Sequence, residues 1–157
     1  FEAAAYLRRM GAETQQVKKL FSTSFAAYEW KSRLVTEAGL YLGCAVVATS
    51  GLPPEMAVAV PQAANDLLTI DGVQASFVAV ETNGQVNISA RSLGEVNVQV
   101  IMEQLGGGGH LTMAGGQLKN DTADHARELI LAAITQYREN EKKERQALPA
   151  KSAKQEP

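Results

Sequence analysis

The sequence predicts an α/β domain: a mixed β-sheet flanked by helices and preceded by linker helices. Three observations lead there. Runs rich in Val, Ile and small residues fall at 40–49, 73–81, 85–91 and 114–119. Segments with apolar residues at helical spacing alternate with them. Asn83-Gly84 sits between the second and third runs, a strong short-range hairpin signal, so that strand pair is antiparallel.

Taken in order, Glu2 to Met10 reads as the end of a helix stopped by Gly11. Thr14 can cap a short helix carrying Val17, Leu20 and Phe21. Ser24 opens another helical pattern through Phe25, Tyr28 and Val35, whose aromatic residues are expected to pack. Leu40 to Thr49 is one continuous apolar run, expected as a single buried strand ended by Ser50-Gly51. Pro53-Pro54 starts a turn or helical segment. Pro61 fits the first turn of a helix carrying Ala64, Leu67 and Leu68. After the hairpin strands, Val96 to Leu105 is expected as a helix with Val96, Val100, Ile101 and Leu105 on one side, ended by Gly106 to Gly109. Ala114 to Lys119 is a short strand. Asn120, Asp121 or Thr122 then caps a long helix with an apolar stripe through Ala126, Leu129, Ile130, Ala133, Ile134 and Tyr137. Beyond Glu139 the apolar face stops, and a frayed or disordered tail is expected. The expected organisation is residues 1–38 as linker helices, 39–140 as the globular domain and 141–157 as the tail.

Composition narrows the function. In 157 residues, 45% are apolar, enough for a core, and the net charge of −2 argues against a large polyanion partner. A small phosphorylated ligand remains compatible, since it needs only one or two cations and some backbone amides. The single cysteine, Cys44, cannot form an internal disulfide and reads as a buried small hydrophobe in a cytoplasmic domain. No apolar run is long enough to span a bilayer, so no direct membrane contact is expected. Phe1 opens inside an amphipathic pattern without an initiator Met, which reads as a piece of a longer protein.

The stretch that carries chemistry is Gly106-Gly107-Gly108-Gly109-His110, followed by Ala114-Gly115-Gly116. Four consecutive glycines lose much backbone entropy on folding. One glycine explains a helix stop and four do not. Bare amides in such a turn can form a nest for an anion. These glycines follow a helix, unlike a dinucleotide fingerprint, and a P-loop's Gly-Lys-Ser/Thr is missing. His110 can donate to a phosphate oxygen or protonate a leaving group, or merely satisfy its own loop. Ile88-Ser89-Ala90-Arg91-Ser92 is the second feature. Arg91 offers a planar fork matched to phosphate, Ser89 shares its strand face, and Ser92 points to the other face or starts a turn. Asn97 and Gln99 are further candidates for the same pocket. The two His and the Asp residues at 66, 71, 121 and 124 form no recognisable metal site; Asp121 and His125 read as a helix cap and an exposed face.

The string from Ser89 to His110, Ser-Ala-Arg-Ser-Leu-Gly-Glu-Val-Asn-Val-Gln-Val-Ile-Met-Glu-Gln-Leu-Gly-Gly-Gly-Gly-His, resembles the DHH-associated (DHHA type 1) domain of the DHH phosphoesterases. Its Asn-Val-Gln and Ile-Met-Glu elements and fourfold glycine resemble the cyclic-di-AMP phosphodiesterases of Gram-positive bacteria. Phe1 to Gly11 resembles the end of their DHH domain. The resemblance implies a Mn²⁺-dependent hydrolase whose two metal ions sit in the DHH domain, absent from this chain. It also implies a membrane-anchored parent, and a substrate-binding role for Gly107, Gly108, Gly109, His110, Ser89, Arg91 and Ser92. Implied partners are a cyclic dinucleotide or short oligonucleotide and the DHH domain in cis, with room for a homodimer. The chain alone is then expected to bind phosphate without hydrolysing it. Leu111-Thr112-Met113-Ala114-Gly115 departs from the family's His-x-x-Ala-Ala-Gly by the larger Met113. An oligoribonuclease or nucleotide phosphatase of the same superfamily and a nucleic-acid-binding accessory module are the alternatives, the last disfavoured by the low positive charge.

Overall fold

The computed structural model describes residues 2–9, 11, 15 and 24–153. The short helix expected from Thr14 lies outside the described residues. Helix α1 spans Glu2–Arg9 and α2 spans Phe25–Glu37, with Ser24 as its cap: the Oγ accepts from the Ala27 amide at 3.1 Å. Strands β1 (Gly39–Tyr41) and β2 (Cys44–Ser50) follow, then a 3-10 turn at Pro54–Met56 and α3 (Ala59–Leu67). The hairpin β3 (Ala75–Thr82) and β4 (Gln85–Ser92) turns at Asn83 and Gly84, both at positive φ. Helix α4 (Val98–Glu103), β5 (Gly108–Gly109), β6 (Met113–Lys119) and α5 (Ala123–Ala153) complete the order.

The strands form one mixed sheet in the order β1-β2-β3-β4-β6-β5, parallel only between β2 and β3. Alternation along each strand divides the core in two. Cys44, Val46, Phe77, Val86, Ile88 and Ala90 face one side, where Ile130 and Ile134 of α5 and Ile101 and Met102 of α4 pack on them. Ala45, Val47, Val78 and Val80 face the other, under Leu34 of α2 and Ala63, Ala64 and Leu67 of α3. Leu34 is fully buried, so α2 belongs to the packed body. Cys44 is also fully buried, as its small apolar character suggested.

The structure corrects the sequence reading in four places. The run from Leu40 to Thr49 is a hairpin, because Leu42 and Gly43 both take positive φ and reverse the chain. Arg138 anchors this turn, its Nε and Nη2 donating to the Leu42 carbonyl at 3.1 and 2.9 Å. The helix expected from Val96 starts only at Val98, since the Asn97 side chain caps it by accepting from the Gln99 and Val100 amides. Val100 is consequently exposed and Met102 takes a core position. Phe25 and Tyr28 are exposed, while Trp30 packs partly against the core. Finally, α5 continues to Ala153 where a frayed tail was expected. The Glu, Lys, Arg, Gln and Ala that dominate there are strong helix formers, so the helix runs on past its last core residues.

Candidate functional site

The side of the sheet that α2 and α3 cover over β2 and β3 lies open over β6 and β5, and α3 reaches as far as β4. The register sets what is displayed there. Gly108 pairs with Gly115, Gly115 with Ser89, and Ser89 with Val78, so these four form one row across the sheet. In the next row Met113 pairs with Arg91 and Arg91 with Ser76. The His110 amide donates to the Met113 carbonyl at 2.7 Å, which continues the same register and adds His110 to that row. Val78 points into the α2–α3 core, and side chains in one row share a face. Ser89, Arg91 and Met113 therefore stand on the open continuation of that face. The row of Gly108 and Gly115 leaves a trough without side chains beside them.

Three of the candidates named with this site lie elsewhere. The Ser92 hydroxyl is buried on the opposite face, donating to the Val96 carbonyl at 2.6 Å and accepting from the Gly94 amide at 2.9 Å. It holds the turn after β4. Asn97 is occupied as a helix cap, and Gln99 donates to Glu103 at 3.0 Å on its own helix.

The glycine run is not an open nest. Gly106 takes positive φ to end α4, and its amide donates to the Glu103 carbonyl, as the Gly107 amide does to Met102. Gly108 and Gly109 form the short edge strand β5. With His110 bonded to Met113, the alternation of an antiparallel ladder turns the Gly108 amide toward β6 and the Gly109 amide outward. Only one amide of the run is thus offered to a ligand. Steric need differs just as sharply along the run. A Cβ on Gly107 would lie 2.3 Å from the Gly115 carbonyl oxygen, and one on Gly109 2.4 Å from that of Met113 at a φ of +149°. A Cβ on Gly108 would meet nothing within 4 Å. The fold itself demands glycine at 106, 107 and 109, and makes no such demand at 108.

Arg91 is the other unexplained group. Its Nη1 donates to the Ala90 carbonyl at 2.9 Å, while its Nε is enclosed without a hydrogen-bond partner. It joins none of the ion pairs among the described residues. A guanidinium without a carboxylate, with an enclosed unused donor, is prepared for an anion. His110 is exposed in the same row, with Met113 between it and Arg91. Among the described residues, no group of three or more His, Cys, Asp or Glu is placed to hold a metal ion. The donor set around Arg91 suits an anion and does not suit Mn²⁺. Asp121 and His125 meet at 2.7 Å at the start of α5, where the Thr122 amide and the imidazole hold the Asp121 carboxyl below its ordinary range.

The model of the DHHA1 domain matches residues 49–140, the span that holds β4, the glycine run and most of the sheet. This chain belongs to the DHHA1 domain family. Cyclic-di-AMP phosphodiesterase PdeA of Listeria monocytogenes is 42% identical over 139 residues, 87% of this chain and 21% of the relative. Cyclic-di-AMP phosphodiesterase GdpP of Geobacillus thermodenitrificans is 46% identical over 144 residues, 90% of this chain and 22% of the relative. The chain thus spans about a fifth of the length of these relatives. Among solved structures, an exopolyphosphatase-related protein from Bacteroides fragilis aligns with a TM-score of 0.68 at 22% identity, over 85% of this chain and 42% of that one, a likeness of fold. Among the described residues of this DHHA1 domain, no helix is long and apolar enough to cross a membrane.

Proposed function

We propose that this DHHA1 domain is the substrate-binding part of a phosphodiesterase that opens cyclic-di-AMP to the linear dinucleotide pApA. The observation that carries the reading is Arg91: a cation without an ionic partner, its Nε unused, beside a side-chain-free trough. Identity of 42–46% to two cyclic-di-AMP phosphodiesterases supplies the substrate class.

In this reading the phosphodiester lies over Gly108 and Gly115. Arg91 shares its charge in a charge-assisted hydrogen bond. The outward Gly109 amide and the Ser89 hydroxyl fix its orientation, and the His110 ring donates from the side. A side chain at 108 would occupy the space the phosphate takes, which gives that glycine the reason the fold does not provide. The domain binds and orients. The hydrolytic groups, with two Mn²⁺ ions, belong to a DHH domain outside this chain, as does the membrane anchor, and no chemical step is assigned to the residues described.

Calorimetry with cyclic-di-AMP, pApA and a long oligoribonucleotide tests the proposal. Binding of the dinucleotides, abolished in Arg91→Ala, is expected. Binding of the long oligomer alone, with steep salt dependence, would mark a nucleic-acid module. Clear turnover by this chain with Mn²⁺ would overturn the division of labour.

A further inference from the structure

Beyond the phosphate site, the open face carries an apolar strip that the domain's own packing does not use. Met113, in register with Arg91, is 53% exposed. The Leu93 amide donates to the Gln74 carbonyl at 3.2 Å, which carries the β3–β4 register one residue past Ser92. By alternation Leu93 stands on the same face as Met113, and it is 66% exposed. Two large apolar side chains exposed together on one face mark a contact surface, whereas a single one would need no explanation. This strip adjoins Arg91. Along β4, one row separates Ser89 from Arg91 and another separates Arg91 from Leu93, each about 7 Å. That spacing matches a ligand with a charged end over the trough and a flat apolar end over the strip, as a nucleotide has its phosphate and its base.

We infer that Met113, with Leu93 beside it, is the platform for the nucleobase of the bound nucleotide, so that Met113 is a specificity-determining residue. The inference rests on the phosphate reading above and adds the base subsite to it. A thioether is polarisable and adapts to an aromatic ring, and its flexible side chain can close over a flat ligand. Arg91, one strand away, can hold phosphate and lie against the ring edge together.

The test uses this chain with AMP and with ribose 5-phosphate, which lacks the base. The methyl resonance of Met113, assigned by its loss in Met113→Ala, should show a ring-current shift on adding AMP and none with ribose 5-phosphate. Met113→Ala should weaken AMP about three- to tenfold and leave ribose 5-phosphate unchanged. Equal binding of the two ligands, or no ring-current shift on saturation with AMP, would overturn the base platform while leaving the phosphate site standing. The strip would then be a protein contact. If neither ligand binds, the phosphate site and the platform fall together.

Discussion

One face of the sheet is finished differently at its two ends. Over β2 and β3 it presents Ala45, Val47, Val78 and Val80, and α2 and α3 bury them. Over β4 and β6 the same face presents Asn87, Ser89, Arg91, Gly115 and Gln117; α3 reaches β4, and among the described residues no helix is seated over β6 on this face. A row such as Val47–Val78–Ser89–Gly115–Gly108 crosses from one regime to the other without leaving the sheet. The helices stop where the displayed residues no longer reward burial. What remains is a flat, polar, partly side-chain-free surface on a rigid scaffold, a place where a ligand can approach backbone closely.

The sharpest way to break this comparison is inside the glycine run. Gly109→Ala puts a methyl 2.4 Å from a carbonyl oxygen at a φ that disfavours side chains, and Gly107→Ala creates a 2.3 Å clash. Each is expected to lower stability by about 1–3 kcal/mol or more, read as a reduced denaturation midpoint at unchanged slope. Gly108→Ala should retain wild-type stability or gain up to about 1 kcal/mol, yet lose affinity for cyclic-di-AMP. If all three variants lose stability alike, the open space at 108 is not real. If Gly108→Ala binds normally, the trough is not where phosphate sits.

The two serines of β4 sharpen the same point. Ser92→Ala removes a buried hydroxyl that serves Val96 and Gly94, and should cost about 1–3 kcal/mol without changing ligand affinity. Ser89→Ala should do the reverse, with weakened binding and a stability change within about 0.5 kcal/mol. Arg91→Ala belongs with Ser89. Calorimetry should register loss of dinucleotide binding while the thermal midpoint barely moves, and matching losses of both would make Arg91 structural.

The smallest expected effect lies far from the face. Asp121 is held below the ordinary carboxylate value of about 3.9 by the Thr122 amide and His125. A depressed folded value means that its stabilising contribution is present above that ordinary value and lost as pH falls through the folded one. Thermal melts from neutral to acidic pH should show a slight extra decline in wild type that Asp121→Asn lacks. Identical profiles would show that the cap carries no pH dependence.

Much of the architecture was legible in the chain itself. The Asn83-Gly84 hairpin, the apolar stripe of α5 and the buried Cys44 follow from local periodicity and turn chemistry, which depend on near neighbours. Ser89 and Arg91 could be placed on one strand face, with Ser92 on the other, by alternation alone. The tail escaped because helix propensity without an apolar face looks the same as disorder in a list of residues. The hairpin at Leu42 escaped because the group that anchors it, Arg138, lies 96 residues away.

Four glycines and an arginine stand out from residue type alone, since entropy and charge make both costly without a partner. Which glycine serves which purpose emerges with the folded sheet. Gly107 and Gly109 are fixed by strands that approach too closely for a side chain, whereas Gly108 is left open on the row that also holds Ser89. That distinction is one of register between segments far apart in the chain. Register is set by packing across the whole sheet, which no local pattern encodes.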